Sequence, residues 1–178
     1  MTTERYLLDT SVMLLLARGE EPGRGIDQRF GLSSAAERPL VSIVTHAELQ
    51  VLALSNCWGM KRMSALAAAL ANMVTIEILS GPIPEAYIAL ALASRRHRPS
   101  ARTMTDNDLW IAATAKVARA TLLTADKDFP HLSPKHCSIV FIDPHTGTPQ
   151  EISNGQEEEG NRVGRRNRGD ARVRHGRR

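Results

Sequence analysis

Short apolar segments and longer helical patterns alternate along the first 150 residues of the chain. The short segments are apolar or rich in β-branched residues and lie next to Gly, Pro or Asp, which is typical of buried strands. They predict strands at Tyr6–Leu8, Leu40–Thr45, Val74–Leu79, Thr121–Thr124 and Ser138–Ile142. The segments between them predict helices at Val12–Ala17, Ile26–Ala36, Ala47–Leu54, Lys61–Met73, Ile83–Arg98 and Leu109–Arg119, with loops at Gly19–Gly25 and Pro99–Thr105. This alternation indicates a three-layer α/β fold, in which a mostly parallel sheet of about five strands has helices on both faces.

The composition changes near Glu151. Beyond it Gly, Asn, Glu and Arg dominate and apolar residues are sparse. Such a segment cannot bury enough apolar surface to offset the entropy lost on ordering. We therefore expect one folded domain over residues 1–150 and a disordered Arg/Gly/Glu-rich tail over residues 151–178. The tail can contact RNA phosphates, although a solvated extension without a specific role is the simpler expectation.

Charge and cysteine content limit the class of protein. The formal net charge is +4, and most of the excess lies in the tail, so it says little about the domain. Cys57 and Cys137 are far apart and match no metal-binding spacing, which favours a reducing compartment over a disulfide framework. The longest apolar run, Ala86–Ala93, is much shorter than the roughly 20 residues of a membrane helix. With no secretory signal visible either, we expect a soluble, cytoplasmic protein without a membrane partner.

Acidic residues follow several of the predicted strands. Asp9 follows the first strand and Asp126 the fourth, while Glu48 is expected in the first turn of the helix after the second strand. Asp106 and Asp108 come directly before the last predicted helix. Each acid alone fits a helix cap or a turn. Because ligands bind at the carboxyl ends of parallel strands, we expect these acids to converge at one edge of the sheet.

Converging carboxylates need a cation. Two unit charges 4 Å apart repel by about 4 kcal/mol at an effective dielectric constant near 20. Several such pairs are a heavy cost for a domain with a net stability of about 5–15 kcal/mol. Oxygen ligands without a Cys or His cluster favour Mg²⁺ or Mn²⁺ over zinc. The sequence therefore predicts a Mg²⁺ site in which Mn²⁺ can substitute.

Four segments carry Asp9, Glu48, Asp108 and Asp126: Leu7–Ser11, Thr45–Leu49, Asn107–Ala113 and Leu123–Phe129. Together they resemble the PIN-domain ribonucleases, and most closely the VapC-type toxins of bacterial toxin–antitoxin pairs. The segments follow the order and rough spacing of that family over about residues 5–143. The resemblance implies metal-dependent hydrolysis of RNA phosphodiester bonds by an endoribonuclease, with an acidic quartet of Asp9, Glu48, Asp108 and Asp126.

The resemblance also implies individual roles. We expect Asp9 and Asp108 to bind the metal directly, and Glu48 and Asp126 to hold metal-bound waters or a second ion. Three further residues are expected to support the site: Ser11, Thr124 and Asp128. Asp106 is expected to be a loop or cap residue.

The substrate must be bound outside the acidic site, because carboxylates repel phosphates. An arginine cluster precedes the Asp108 segment, and contact with the RNA backbone and a solvated helix end explain it equally well. Its members are Arg95, Arg96, Arg98 and Arg102. The partners implied by the resemblance are RNA, a small cognate antitoxin protein and a second copy of the chain in a homodimer.

Other classes fit less well. Phosphatases with an Asp-x-Asp pair need a second acid where this chain has Ser11, and no Gly-rich segment of the P-loop type is present. A response-regulator-like module would need paired acids where this chain has only Asp9. Two alternatives stay open: a PIN nuclease in RNA processing or DNA metabolism outside a toxin–antitoxin pair, and a cation-binding RNA-binding or regulatory protein without turnover.

Overall fold

The structure is a computed structural model that describes residues 4–79, 81–96 and 104–150. Its strands are β1 (Tyr6–Leu8), β2 (Leu40–Ser42), β3 (Val74–Ile76), β4 (Thr121–Thr124), β5 (Ile139–Ile142) and β6 (Pro149–Gln150). Its helices are α1 (Thr10–Arg18), α2 (Glu21–Phe30), α3 (Ile43–Ser55), α4 (Met60–Ala71), α5 (Ile83–Arg96) and α6 (Asp106–Val117), with a 3-10 turn at Pro130–Leu132. The predicted tail, residues 151–178, lies outside the described residues, as do Arg98 and Arg102.

The strands form one sheet in the order β3–β2–β1–β4–β5–β6. Strands β1 to β5 pair in parallel, and β6 pairs antiparallel with β5. The predicted mostly parallel α/β sheet is thereby confirmed, with a short sixth strand that the sequence pattern did not predict. Because β1 pairs with β2 on one side and with β4 on the other, the chain reverses its direction across the sheet between β1 and β4. This is the switch point at which α/β sheets bind their ligands.

Alternation along the strands divides the core between the two faces of the sheet. Leu7 and Leu122 belong to a cluster that packs against α5 and α6. Their neighbours Leu8 and Leu123 belong to a second cluster, which packs against α1, α2, α3 and α4. All four leucines are fully buried. The sheet is therefore covered by helices on both sides, and the ends of its strands remain as the place for a site.

The loop predicted at Gly19–Gly25 and the helix predicted at Ile26–Ala36 are wrong in their bounds. Helix α2 already begins at Glu21, with Pro22 in its first turn, where proline is tolerated. It ends at Phe30 because Gly31 adopts a left-handed conformation with φ of 62°. Gly23 and Gly25 therefore belong to a helix, while Gly19 lies between α1 and α2.

The starts of α3 and α6 also differ from the prediction. Strand β2 ends at Ser42, whose side chain accepts a hydrogen bond from Val44 N and so starts α3 at Ile43. Glu48 consequently lies in the second turn of α3 and not in the first. Thr105 caps α6, so Asp106 and Asp108 lie inside the first turn of that helix and not before it.

Candidate active site

The predicted acids line one cavity at the carboxyl-terminal edge of the sheet. This acid cavity has a volume of about 680 Å³. Its acidic lining comes from four separate segments: Asp9, Glu48, Asp108 and Asp126. The rest of its lining is uncharged: Thr10, Ser11, Leu14, Val44, Ala47, Val51, Leu52 and Asn107. Among the described residues, therefore, no positively charged side chain lines the cavity with the four carboxylates.

Asp9 is the most enclosed of the four acids, with 4% of its surface exposed. It follows β1 and caps the start of α1 by accepting a hydrogen bond from Ser11 N. Ser11 Oγ and Thr124 Oγ1 both donate to Asp9 Oδ2, at 2.7 and 2.9 Å. Burial raises the pKa of Asp9 from its ordinary value of 3.8 to about 6, against the effect of these hydroxyl groups. The negative charge of Asp108 raises it further.

The two hydroxyl groups also tie the end of β1 to the segment after β4. Ser11 Oγ accepts a hydrogen bond from Ala125 N at 2.9 Å, and Thr124 Oγ1 accepts one from Asp126 N at 3.0 Å. Each hydroxyl thus donates to the carboxylate and accepts from the backbone, which uses both of its capacities. This network fixes the orientation of Asp9 relative to Asp126.

Glu48 is held by side chains from two other elements. Asn107 Nδ2 donates to Glu48 Oε1 at 2.7 Å, and Thr10 Oγ1 donates to Glu48 Oε2 at 2.5 Å. Neither Thr10 nor Asn107 is among the site residues predicted from the sequence. The available signal was their position next to Asp9 and Asp108 in the motif segments.

Asp108 is the third residue of α6 and shares a capping box with Thr105. Thr105 N and Thr105 Oγ1 both donate to Asp108 Oδ2, at 3.0 and 2.7 Å. The pKa of Asp108 is raised mainly by burial, and the negative charges of Asp126 and Glu48 act in the same direction. The acids are therefore close enough for their charges to repel one another.

Asp126 and Asp128 lie in the turn after β4. Asp126 Oδ1 accepts a hydrogen bond from Asp128 N at 2.9 Å, so this contact involves the backbone of Asp128 and not its side chain. The Asp128 side chain is half-buried and does not line the acid cavity. A supporting role for the Asp128 side chain stays a prediction.

Asp106 lies apart from the acid cavity, although it is only two residues from Asp108. Its Oδ1 accepts a hydrogen bond from Tyr87 OH at 2.9 Å. Tyr87 in turn stacks on Trp110, with ring centroids 4.2 Å apart. Asp106 therefore belongs to the contact between α5 and α6.

Two of the four predicted RNA-contacting arginines are described. Arg95 and Arg96 lie exposed in the last turn of α5 and do not line the acid cavity. Arg95 is close enough for its charge to lower the pKa of Tyr87 against the larger effect of the Asp106 hydrogen bond. Arg95 therefore lies near the hydrogen bond between Tyr87 and Asp106, and Arg96 follows it in the same turn of α5. Contact of the two arginines with RNA stays a prediction.

The chemistry of the acid cavity fits a hard divalent cation. Its charged donors are all carboxylate oxygens, and the structure describes no positively charged residue in the lining that would offset the charge of the buried Asp9. Within residues 4–79, 81–96 and 104–150, however, no three acidic, His or Cys side chains are placed to hold an ion as they stand. The hydrogen bonds of Glu48 and Asp108 explain this, because they direct those carboxylates toward Asn107 and Thr105.

Fold and cavity together define an α/β protein with an acidic site at the switch point of its sheet. A sequence model of the PIN domain matches residues 6–134. The chain belongs to the PIN domain family, which confirms the resemblance of its four motif segments.

Known proteins similar to the chain include Ribonuclease VapC5 of Mycobacterium tuberculosis. The two are 32% identical over 127 residues, which is 71% of this chain and 86% of that protein. The structure is similar to VapBC2 from Rickettsia felis bound to a DNA fragment from its promoter. The two chains are 19% identical with a TM-score of 0.62, and the match covers 75% of this chain and 96% of that chain. It is also similar to VapBC-5 from Mycobacterium tuberculosis, a toxin–antitoxin complex, with 23% identity, a TM-score of 0.58 and coverage of 79% and 100%. At these identities the structural similarity shows the fold.

Within the described residues, no helix combines the length and apolar character that crossing a bilayer requires.

Proposed function

We propose that this protein is a Mg²⁺-dependent endoribonuclease, the toxin of a toxin–antitoxin pair of the VapC type. The observation that carries the proposal is the placement of four acids along one cavity, with no positively charged side chain of the described residues in its lining and with Asp9 almost fully buried. The similarity to Ribonuclease VapC5 supports the activity, and the similarity to VapBC complexes supports the toxin role. A bound cation would offset the electrostatic repulsion among the four carboxylates, which explains why the fold tolerates such a site.

We assign Asp9 and Asp108 as the residues that would hold the cation. Hydroxyl groups occupy Oδ2 of both carboxylates, so the Oδ1 atoms are the oxygens that can face an ion. When bound, Mg²⁺ lowers the pKa of a water molecule and neutralises charge on the phosphate, and Mn²⁺ can substitute. Glu48 and Asp126 complete the quartet and would orient water or hold a second ion.

The neighbouring hydroxyl and amide groups position the acids. Ser11 and Thr124 fix Asp9, and Thr105 fixes Asp108. Asn107 and Thr10 hold both oxygens of Glu48. Mutation of residues that hydrogen-bond to metal ligands typically lowers metal affinity or activity by about 10–100-fold.

Exposed apolar side chains support the proposed homodimer. Val51 and Leu54 on α3 are 62% and 69% exposed, and Ile88 and Leu92 on α5 are 58% and 47% exposed. Val51 also lines the acid cavity, so a second copy seated on α3 would cover part of the cavity rim. Leu54→Glu should shift the purified protein from dimer to monomer in light scattering. A wild type that is monomeric at all concentrations would contradict the homodimer.

The activity is tested by incubating the purified protein with total RNA and Mg²⁺ and mapping the cut ends. We expect cleavage that stops on chelation and is lost in Asp108→Asn. Asp106→Asn is the matched control, because it changes the same side chain in the same helical turn but lies outside the acid cavity. Equal loss in both variants, or cleavage that persists in chelator, would contradict the assignment of Asp108.

The toxin role is tested in cells. We propose a cytoplasmic protein whose expression arrests growth, and whose effect is relieved by a small protein encoded beside it. Asp108→Asn should abolish the arrest while Asp106→Asn retains it. Normal growth with the soluble wild type would contradict the toxin role and leave a PIN nuclease outside a toxin–antitoxin pair.

A further inference from the structure

A second cavity lies beside the acid cavity, between α1 and the start of α4. It has a volume of about 260 Å³, and its lining includes Arg18, Lys61, Arg62, Trp58 and Glu20. We call it the basic cavity. Leu14 lines both cavities, and Arg18 lies one helical turn further along the same face of α1. The two cavities are therefore neighbours along one face of α1.

The positive charges of the basic cavity are not paired with acidic side chains of the described residues. Arg18, Lys61 and Arg62 are exposed and form no salt bridge with any described residue. Of the described residues that line the cavity, Glu20 alone is acidic, so this lining carries an excess of positive charge. Lys61 and Arg62 lie in the first turn of α4, where the helix dipole disfavours positive charge. A negatively charged ligand would relieve this repulsion.

An aromatic platform lies among the same charges. The guanidinium group of Arg62 lies over the ring of Trp58, 4.9 Å from its centroid. Trp58 is half-buried and packs against the core, which holds the pair in place. Single-stranded RNA is bound by stacking bases on aromatic rings and on arginine planes, combined with cations along the backbone. The basic cavity offers both features.

We propose that the basic cavity is a binding subsite for single-stranded RNA, and this inference rests on the ribonuclease function proposed above. Arg18 and Lys61 pair with backbone phosphates, and one base stacks on the Arg62 guanidinium that Trp58 supports. The strand passes Leu14 from the acid cavity into the basic cavity. The acid cavity repels phosphates, so the substrate needs such a positive surface beside it. An acidic protein segment could pair with the cations but has no base to place on the platform, which favours RNA.

The test compares wild type with the triple variant Arg18→Gln, Lys61→Gln, Arg62→Gln. A matched control removes the same charge from exposed residues outside both cavities: Arg29→Gln, Arg119→Gln and Lys135→Gln. Binding of a short fluorescent oligouridine is measured by anisotropy in chelator, over a range of salt concentrations. Each phosphate contact on a single strand contributes about 0.7 to the slope of log affinity against log salt. The triple variant should lose about 1.4 from that slope, for the two phosphate contacts of Arg18 and Lys61, and roughly tenfold or more in affinity, while the control resembles wild type.

Two further measurements separate binding from chemistry and charge from stacking. In cleavage assays with Mg²⁺, the triple variant should show a raised KM with kcat retained, because it leaves the acid cavity intact. Arg62→Lys should keep the salt slope of wild type but bind more weakly, since lysine retains the charge and lacks the planar surface.

The failures of the two proposals are distinguishable. If wild type cleaves RNA and the triple variant keeps the salt slope and the oligouridine affinity of wild type, the subsite is overturned and the nuclease proposal stands. A wild type that neither binds oligouridine nor cleaves total RNA would overturn both. The triple variant could also bind RNA as wild type does but lose a protein that co-purifies with wild type. This outcome would overturn the RNA subsite and assign the cavity to a protein partner.

Discussion

Thr124 donates a hydrogen bond from Oγ1 to Oδ2 of Asp9, a residue 115 positions earlier in the chain, at 2.9 Å. The same Oγ1 accepts a hydrogen bond from Asp126 N. Both Thr124 and Asp9 are buried, so neither group can exchange this partner for water at low cost. One hydroxyl therefore connects two of the four acids and joins β1 to β4 at the switch point.

Thr124→Val tests this connection, because valine preserves the shape of the side chain and removes the hydroxyl. The change removes one of the hydrogen bonds to Asp9 Oδ2 and leaves the backbone N–H of Asp126 without its partner, which should lower the free energy of unfolding by about 1–3 kcal/mol. Cleavage should fall about 10–100-fold, since Asp9 loses its orientation. Thr121→Val, at the other end of β4, is the control and should leave cleavage unchanged. Equal activity in Thr124→Val and wild type would refute the positioning role.

Gly23 is placed where helices α1 and α2 approach each other closely. A Cβ atom at this position would lie 2.3 Å from the carbonyl oxygen of Leu15. Gly23→Ala should therefore force the helices apart and lower the free energy of unfolding by about 1–3 kcal/mol. At Gly25, two positions further along α2, the nearest atom to an added Cβ is 4.0 Å away, so Gly25→Ala should stabilise the helix by about 0.5–1 kcal/mol. Denaturation curves in which both variants change in the same direction would contradict this packing.

The place of the acids followed from the sequence because strand ends are local signals. Asp9 and Asp126 each follow an apolar segment, and parallel strands bring their carboxyl ends to one edge. Their hydrogen-bond partners could not be predicted in the same way. The contact between Glu48 and Asn107 joins residues 59 positions apart and depends on how α3 packs against α6.

The bounds of α2 were missed for a related reason. A segment with Pro22, Gly23 and Gly25 has the composition of a loop, because glycine and proline favour turns. In the structure the glycine at position 23 serves helix packing, which is a tertiary requirement that no local pattern expresses. The basic cavity was not predicted for the same reason, since only the packing of α1 on α4 brings Arg18 and Lys61 together.

Addition of Mg²⁺ or Mn²⁺ should raise the melting temperature of the protein by mass action. A ligand at 100 times its dissociation constant stabilises the folded state by about 2.7 kcal/mol. Asp108→Asn should reduce this response, because it removes a charged ligand, and Asp106→Asn should retain it, because Asp106 contacts Tyr87. Absence of a thermal response of wild type to either cation at millimolar concentration would refute the metal site.

The raised pKa of Asp9 makes the stability of the cation-free protein depend on pH. Burial raises this pKa from 3.8 to about 6, so the folded state binds the proton more tightly than the unfolded chain does. The resulting stabilisation is fully present below pH 3.8 and is lost as the pH rises through about 6. A shift of this size corresponds to about 3 kcal/mol, at 1.36 kcal/mol for each pKa unit.

In chelator, the Asp9 contribution should therefore lower the melting temperature of wild type between about pH 4 and pH 7 relative to Asp9→Asn. Asparagine has the same shape and no charge, so the variant should be the more stable protein at pH 7. Mg²⁺ should reverse the order, because a cation competes with the proton for the Asp9 carboxylate and its effect grows as the pH passes 6. The melting temperatures of wild type and Asp9→Asn could instead change with pH in the same way, both with and without Mg²⁺. That result would exclude Asp9 as a titrating ligand.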